Sequence, residues 1–330
     1  MSDESSAVAA RPDGCDLRLD PGRTPVLRVP GPDLPLADVR TLLARHGALL
    51  VRGLGLTEPA DLAETARALG VGPMVEREGF TGRGALGGGV YTNSPWPADE
   101  AMCMHHESSY AAEVPAVAMF ACLTASGDGG VTGVADARTV LARLPGDVRE
   151  RFEREGWRLT RHYRPEGPDW TEAFGSRDAH DVDAYCRDHA IEHAWLPDGT
   201  LRTVQRRAAV VRHPVTGERL WFNQVAFLNA HTMDPVIREY LVDLYGPHGL
   251  PFDTAYGDGA PIPASVIETV NDVYTAATLR EPWQSGDLLV LDNLRTAHSR
   301  EPYAGERRVV ALFGDAVRLD GHLVAAGGAG

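Results

Sequence analysis

A chain of 330 residues, 43% hydrophobic and 24% charged, has material for a substantial core and lies close to globular averages. Its 46 acidic residues outnumber 32 basic ones, and the formal charge of −14 repels phosphate backbones and anionic lipid, which argues against nucleic acid and membrane partners. No apolar run approaches the roughly 18 residues of a spanning helix. The N-terminal MSDESSAVAARPDG has neither the basic nor the apolar segment of a secretory signal. The cysteines, Cys15, Cys103, Cys122 and Cys186, are widely spaced with no CxxC pair, as expected of reduced thiols in a cytoplasmic protein.

In chain order, residues 1–13 are small and polar and predict a disordered N-terminus; 321–330, ending AAGGAG, predict a flexible tail; 14–320 read as a single domain. Val39, Leu42 and Leu43 have helical spacing, with Gly47 as the stop. ALLVR (48–52) reads as a buried strand. Thr57 is placed to cap a helix through Leu69, with Pro59 in its first turn and Gly70 beyond its end. GRGALG (82–87) matches a dinucleotide-binding glycine pattern, but the strand-like VYTN (90–93) follows it where a helix would be needed. A mobile loop is therefore expected.

Strand signals then dominate: 115–125, 208–213, 219–227, 287–292 and 307–315. Asp136 is a predicted N-cap, and 146–156 an amphipathic helix. An insertion at about 160–205 contains DVDAYCRDHAIEHAWL, read as helical. Strands at irregular spacing, with helices leading and inserted, predict a mainly β protein with flanking helices: a double-stranded β-helix of the jelly-roll, cupin-like kind, carrying a helical insertion.

The chemistry concentrates in MCMHHESSY (102–110). In an extended segment residues i and i+2 share a face, so His105 and Glu107 point together and His106 points away. Taken alone the motif fits a surface run at least as well as a metal site. Near the C-terminus, however, GDLLVLDNLRTAHSREPYAGERRVV (286–310) runs a core strand into His298 and then Arg307-Arg308. His105, Glu107 and His298 together form two histidines and one carboxylate, a set that leaves three open positions on Fe(II) for a keto acid and dioxygen. A nearby arginine can clamp the far carboxylate of such an acid. Alternation puts Arg308, Val310 and Leu312 on one face, so one arginine of the pair should point inward.

These segments, with YTNSPWPADEAMCMHHESSY, GGVTGVADARTVLARLP, HPVTGERLWFNQ and WQSGDLLVLDN, resemble the TauD/TfdA family of Fe(II)/2-oxoglutarate-dependent dioxygenases. Within it the chain is similar to the branch of nonribosomal peptide pathways that includes the syringomycin-pathway aspartyl hydroxylase. The resemblance covers about 35–318. It implies that His105, Glu107 and His298 bind Fe(II), that Arg308 and Thr132 hold 2-oxoglutarate, and that O2 is consumed. It implies an amino acid as substrate, free or carried as a thioester on a peptidyl carrier protein, hydroxylated at a C–H bond in antibiotic biosynthesis. Desaturation and epoxidation share this chemistry, whereas halogenation is disfavoured because related halogenases lack the carboxylate that Glu107 supplies. Taurine dioxygenases carry a second arginine where Leu312 stands here, so a small sulfonate is a poor substrate. Arg83, Asn93, His106 and Asn223 are candidate substrate contacts, and 202–213 is the obvious basic run for docking an acidic carrier. A zinc hydrolase using the same three ligands is the rival. Oligomeric state is open.

Overall fold

Strand Glu113–Thr124 lies between Asp287–Asp292 and Arg308–Arg318, antiparallel to both, at the centre of a nine-stranded sheet. All three are rich in Val, Ala, Leu and Phe and are buried on both faces. One face, carrying Met119, Ala121, Val290, Val310 and Leu312, packs on Val39, Leu42, Leu62 and Ala66 of helices Leu36–His46 and Pro59–Ala68. The other face, with Phe120, Leu289, Val309, Ala311 and Phe313, meets Val134. Val134 belongs to a three-stranded sheet ordered Val134–Asp136, Thr296–Arg300, Met102–His105. Two sheets face to face with helices behind the larger one make the expected double-stranded β-helix. The computed structural model describes residues 7–10, 14–164 and 167–319.

Local chemistry sets the element ends. Gly47 adopts φ 76° and donates its N–H to Leu43, closing the first helix as predicted. The second helix is capped at Glu58 rather than Thr57. Asp61 reaches back to the N–H groups of both residues, so Thr57 falls one position outside. Ala7–Ala10, inside the segment expected to be disordered, pairs with Asp16–Leu19; the remainder of 1–13 and the tail 321–330 lie outside the described residues.

Two predicted elements are shorter than the sequence suggested. The helix read through DVDAYCRDHAIEHAWL ends at Asp188. Ala190 turns the chain at φ 53°, and Ile191–Trp195 then pairs with Leu201–Arg207. Burial of Ile191 beside Leu201 and Phe174 outweighs local helix propensity. With Trp157–His162 and Phe252–Tyr256 these strands form a four-stranded sheet, so the insertion is mixed rather than helical. The strand expected over 219–227 stops at Trp221. Asn223 instead donates to the Ala209 carbonyl and accepts from the Val225 N–H, which replaces ladder bonding. The GRGALG loop forms one arm of a hairpin, Ala85–Gly87 with Val90–Thr92, and no helix follows it.

Asp136 is the predicted cap: it accepts from the N–H groups of Arg138 and Thr139 and pairs with the side chains of Arg138 and Arg295. Burial pushes its carboxyl up, but the two guanidinium groups outweigh this and hold it below the ordinary 3.8. A depressed carboxylate stabilises the fold above its unfolded pKa and ceases to do so as pH falls through the folded one. Asp136→Asn should therefore cost about 1–2 kcal/mol at neutral pH. In urea titrations the gap between variant and parent should be constant above about pH 5 and close as pH drops below 3.8.

Candidate metal centre

The centre is built on one cross-strand pair. Strands Met102–His105 and Thr296–Arg300 run antiparallel with His298 directly opposite His105, which brings the imidazole centroids to 4.3 Å. The His105 ring donates from Nδ1 to the Cys103 carbonyl at 2.9 Å, which leaves Nε2 as the unprotonated nitrogen. That Nε2 lies 3.7 Å from Glu107 Oε1, and His298 Nε2 lies 3.4 Å from the same oxygen. One ligand atom from each residue falls within 4.8 Å of the others, and all three residues are buried. Burial lowers the His298 pKa to about 4, so its ring is neutral and competent to bind a metal. Its Nδ1 is buried with no partner. Two imidazoles and a carboxylate converging in this way fit Fe(II).

Glu107 lies beyond the end of the strand. Its N–H donates to Asn293 Oδ1 at 2.8 Å, and Asn293 Nδ2 donates back to the Glu107 carbonyl at 3.1 Å and to Pro115 at 2.8 Å. Asn293 is fully buried and follows strand Asp287–Asp292, so the strand that leads to His298 also fixes the backbone of Glu107. Burial pushes the Glu107 carboxyl up, but Arg83 and the two imidazoles outweigh it and hold the group well below the usual range.

His106, a candidate substrate contact, points away from this cluster. It is fully buried, with Nδ1 2.6 Å from the Asn293 carbonyl and Nε2 3.0 Å from the Trp221 carbonyl. Burial lowers its pKa to about 4, so the neutral ring donates to one of the two carbonyls and ties the metal strand to the core. Asn223 is likewise internal; its neighbour Gln224 lines the cavity and donates to the His106 carbonyl.

On one side of the triad Asn93, Phe120, Thr132, His298 and Arg307 line a cavity. Here the expected Arg308 is replaced by Arg307. Arg308 is exposed, whereas Arg307 continues the inward face of Val309, Ala311 and Phe313. Alternation was the right principle applied with the wrong parity: Val310 and Leu312 belong to the core behind the sheet. The position four residues after the inward arginine is accordingly Ala311, not Leu312, and it still offers no charge. Arg307 makes one hydrogen bond, from Nε to the Gly130 carbonyl at 3.3 Å, and no carboxylate among the described residues pairs with it. Burial lowers its pKa. Thr132 Oγ1 accepts from Trp283 Nε1 at 3.1 Å, which leaves the hydroxyl proton free for a ligand.

On the other side a second cavity, open to solvent at its mouth, is lined by Glu76, Phe80, Arg83, Tyr110, Gln224 and Phe227. Arg83, from the glycine loop, enters it and contacts both Glu107 oxygens at 3.2 and 3.3 Å. Glu76 and Tyr110 are wall residues that the sequence pattern did not single out. Both precede or follow the ligand motif in irregular segments, where periodicity gives no facing information. In the basic run 202–213, Arg202, Arg206 and Arg212 are exposed and Arg207 is half-buried, with Arg206, Arg207 and Arg212 donating to the carbonyls of Gly257, Tyr110 and Gly217.

The sequence profile described as taurine catabolism dioxygenase TauD, TfdA family matches residues 21–313. The dapdiamide synthesis protein DdaC of Enterobacter agglomerans is 34% identical over 275 residues, 82% of this chain and 83% of the relative. A clavaminate synthase-like protein of Arabidopsis thaliana is 26% identical over 282 residues, 82% of each chain. Among solved structures, PvcB of Pseudomonas aeruginosa superposes with a TM-score of 0.55 at 19% identity, covering 98% of both chains, and so shares the fold.

Three variants test the assignment. Glu107→Ala should abolish tight Fe(II) uptake in equilibrium dialysis while the far-ultraviolet circular dichroism stays that of the parent. Arg307→Met should weaken 2-oxoglutarate by about 2–5 kcal/mol in anaerobic calorimetry, the cost of removing one partner of a buried charge pair. Arg308→Met should change it by less than about 0.5 kcal/mol, as expected of an exposed side chain.

Proposed function

We propose that this chain, which belongs to the TauD/TfdA family of Fe(II)- and 2-oxoglutarate-dependent dioxygenases, hydroxylates a C–H bond of an amino acid, free or carried as a thioester, in the synthesis of a small natural product. The observation that carries the site assignment is the juxtaposition of His105, Glu107 and His298 with a half-buried arginine, Arg307, that has no acidic partner among the described residues. The biosynthetic setting is supported by DdaC, a dapdiamide synthesis protein, and by PvcB, described as an Fe, alpha-ketoglutarate-dependent oxygenase from an isonitrile synthetic pathway.

In this reading His105, Glu107 and His298 hold Fe(II). Arg307 pairs with the far carboxylate of 2-oxoglutarate, and the free Thr132 proton donates to the same group. Iron, 2-oxoglutarate and dioxygen together supply the oxidising power and the oxygen atom that enters the substrate. The protein contributes position and dryness. Phe120 and Val309 wall the cosubstrate side with apolar surface, and the Cys103 carbonyl fixes the His105 tautomer. Arg83 fixes the orientation of Glu107. A zinc hydrolase with the same three donors has no use for Arg307, and family membership rules against it.

Anaerobic addition of Fe(II) and then 2-oxoglutarate should produce the visible iron-to-keto-acid absorption band. With oxygen and a panel of free and carrier-loaded amino acids, succinate release should accompany a product that has gained one oxygen atom. A product that has lost two hydrogens would replace hydroxylation with desaturation. Absence of the band, with tight zinc binding, would sink the dioxygenase assignment of this site.

A further inference from the structure

The cavity on the Arg83 side has a charge imbalance that the metal centre does not use. Its wall includes Glu76, Phe80, Arg83, Trp96, Tyr110 and Phe227. Arg83 is the sole Lys or Arg among the described residues that line it, and its guanidinium is divided. One nitrogen serves both oxygens of Glu107 at 3.2 and 3.3 Å, and Nε donates to Ser94 at 3.0 Å. Glu76 has a single contact from Arg83, at the outer limit of 3.5 Å to its Oε2, and its Oε1 accepts no hydrogen bond among the described residues. The Glu76 side chain is only 17% exposed. A half-buried carboxylate with so weak a pairing gains from a further cation that reaches it.

The surroundings match one kind of cation. Phe80 stands edge-on to Tyr110 at 5.0 Å and to Phe252 at 5.6 Å, and Phe227 stacks on His105 at 4.9 Å. A carboxylate set among aromatic rings recognises an ammonium group, by a charge-assisted hydrogen bond from one side and ring quadrupoles from the others. The segment that carries Glu76 is also held rigidly. Gly72 N–H donates to Asp315 Oδ1, and Tyr185 and Gln205 donate to the two carboxylate oxygens of Glu78. Arg161 grips the carbonyls of Glu78 and Gly79. Glu78 itself sits at φ 59°, a left-handed conformation that only such over-determination holds in place. Glu76 is thus presented to the cavity before any ligand arrives.

We propose that Glu76 is the specificity-determining residue of this enzyme, binding the free primary ammonium of the substrate within the aromatic chamber beside Glu107. The inference rests on the proposed function and narrows it. Substrates must carry an unacylated amino group within one amino-acid length of the oxidised carbon. A free amino acid and an aminoacyl thioester both present that group, so the proposal holds for either form.

The test titrates full-length protein, both metal-free and loaded anaerobically with Fe(II) and 2-oxoglutarate. The probes are L-leucine, L-arginine and n-butylammonium, with N-acetyl-L-leucine, N-acetyl-L-arginine and 1-butanol as neutralised counterparts, followed by calorimetry. At least one ammonium probe should bind tenfold or more tightly than its counterpart in both preparations. Glu76→Gln should erase that ratio, and Glu76→Asp should keep part of it. The proposal is overturned if no ammonium probe outbinds its counterpart, or if the preference survives in a folded Glu76→Gln protein. Should that variant not fold, the parent comparison with Glu76→Asp decides. The absorption band of the loaded parent is recorded separately, so its failure counts against the dioxygenase assignment and leaves the metal-free titration to judge Glu76.

Discussion

The register between Met102–His105 and Thr296–Arg300 is the constraint on which the centre depends. Because His298 lies opposite His105, the two imidazoles meet without any loop having to be folded precisely into place. A one-residue slip in either strand would send one ring to the opposite face. The register is protected on both sides of the pair. Val134–Asp136 adds a third strand with Val134 opposite His298, and the fully buried Asn293 anchors the chain just before His298 to the chain just after His105. The third ligand cannot come from the same ladder, and Glu107 is accordingly carried past the strand end, just before Ser108 turns at φ 54°. The candidate metal ligands are therefore fixed by the core, while the other residues lining the Arg83-side cavity sit largely on irregular chain around them.

How much of this was legible in the sequence follows from which physical signal each feature leaves. The central strands, the first helix with its Gly47 stop and the Asp136 cap were readable because apolar runs and capping residues act locally. The triad was readable because a strand motif and a histidine following a core strand are recognisable together. Parity was harder. Arg307 directly precedes strand Arg308–Arg318 and Arg308 begins it, with a register shift between Arg308 and Val309, and either phase leaves an apolar alternation behind it, because the sheet is buried on both faces. Only the neighbouring sheet shows which face holds the metal, and that chose Arg307. The same limit explains His106 and Asn223, polar residues beside the site that turn out to satisfy backbone carbonyls. It also explains the insertion, where pairing of Ile191–Trp195 overrode a local helical pattern.

The two arginines that reach the triad make an instructive contrast. Arg307 enters from just before strand Arg308–Arg318 and meets no acid among the described residues, so an anionic ligand there would neutralise it. Arg83 enters from a glycine loop already engaged, with its charge divided between Glu107 and Glu76. Arg83 and Glu107 line both cavities, so the first is left with an excess of arginine charge and the second with an excess carboxylate. A buried site that is electrically incomplete in opposite senses on its two sides sorts ligands by sign, since each wrong placement leaves a desolvated charge unpaired. An anionic cosubstrate and an ammonium-bearing substrate would then each find one side favourable and the other closed. Glu107 lines both cavities and is gripped by Arg83, so in the proposed reading its fixed orientation would bear on ligand sorting as well as on metal affinity.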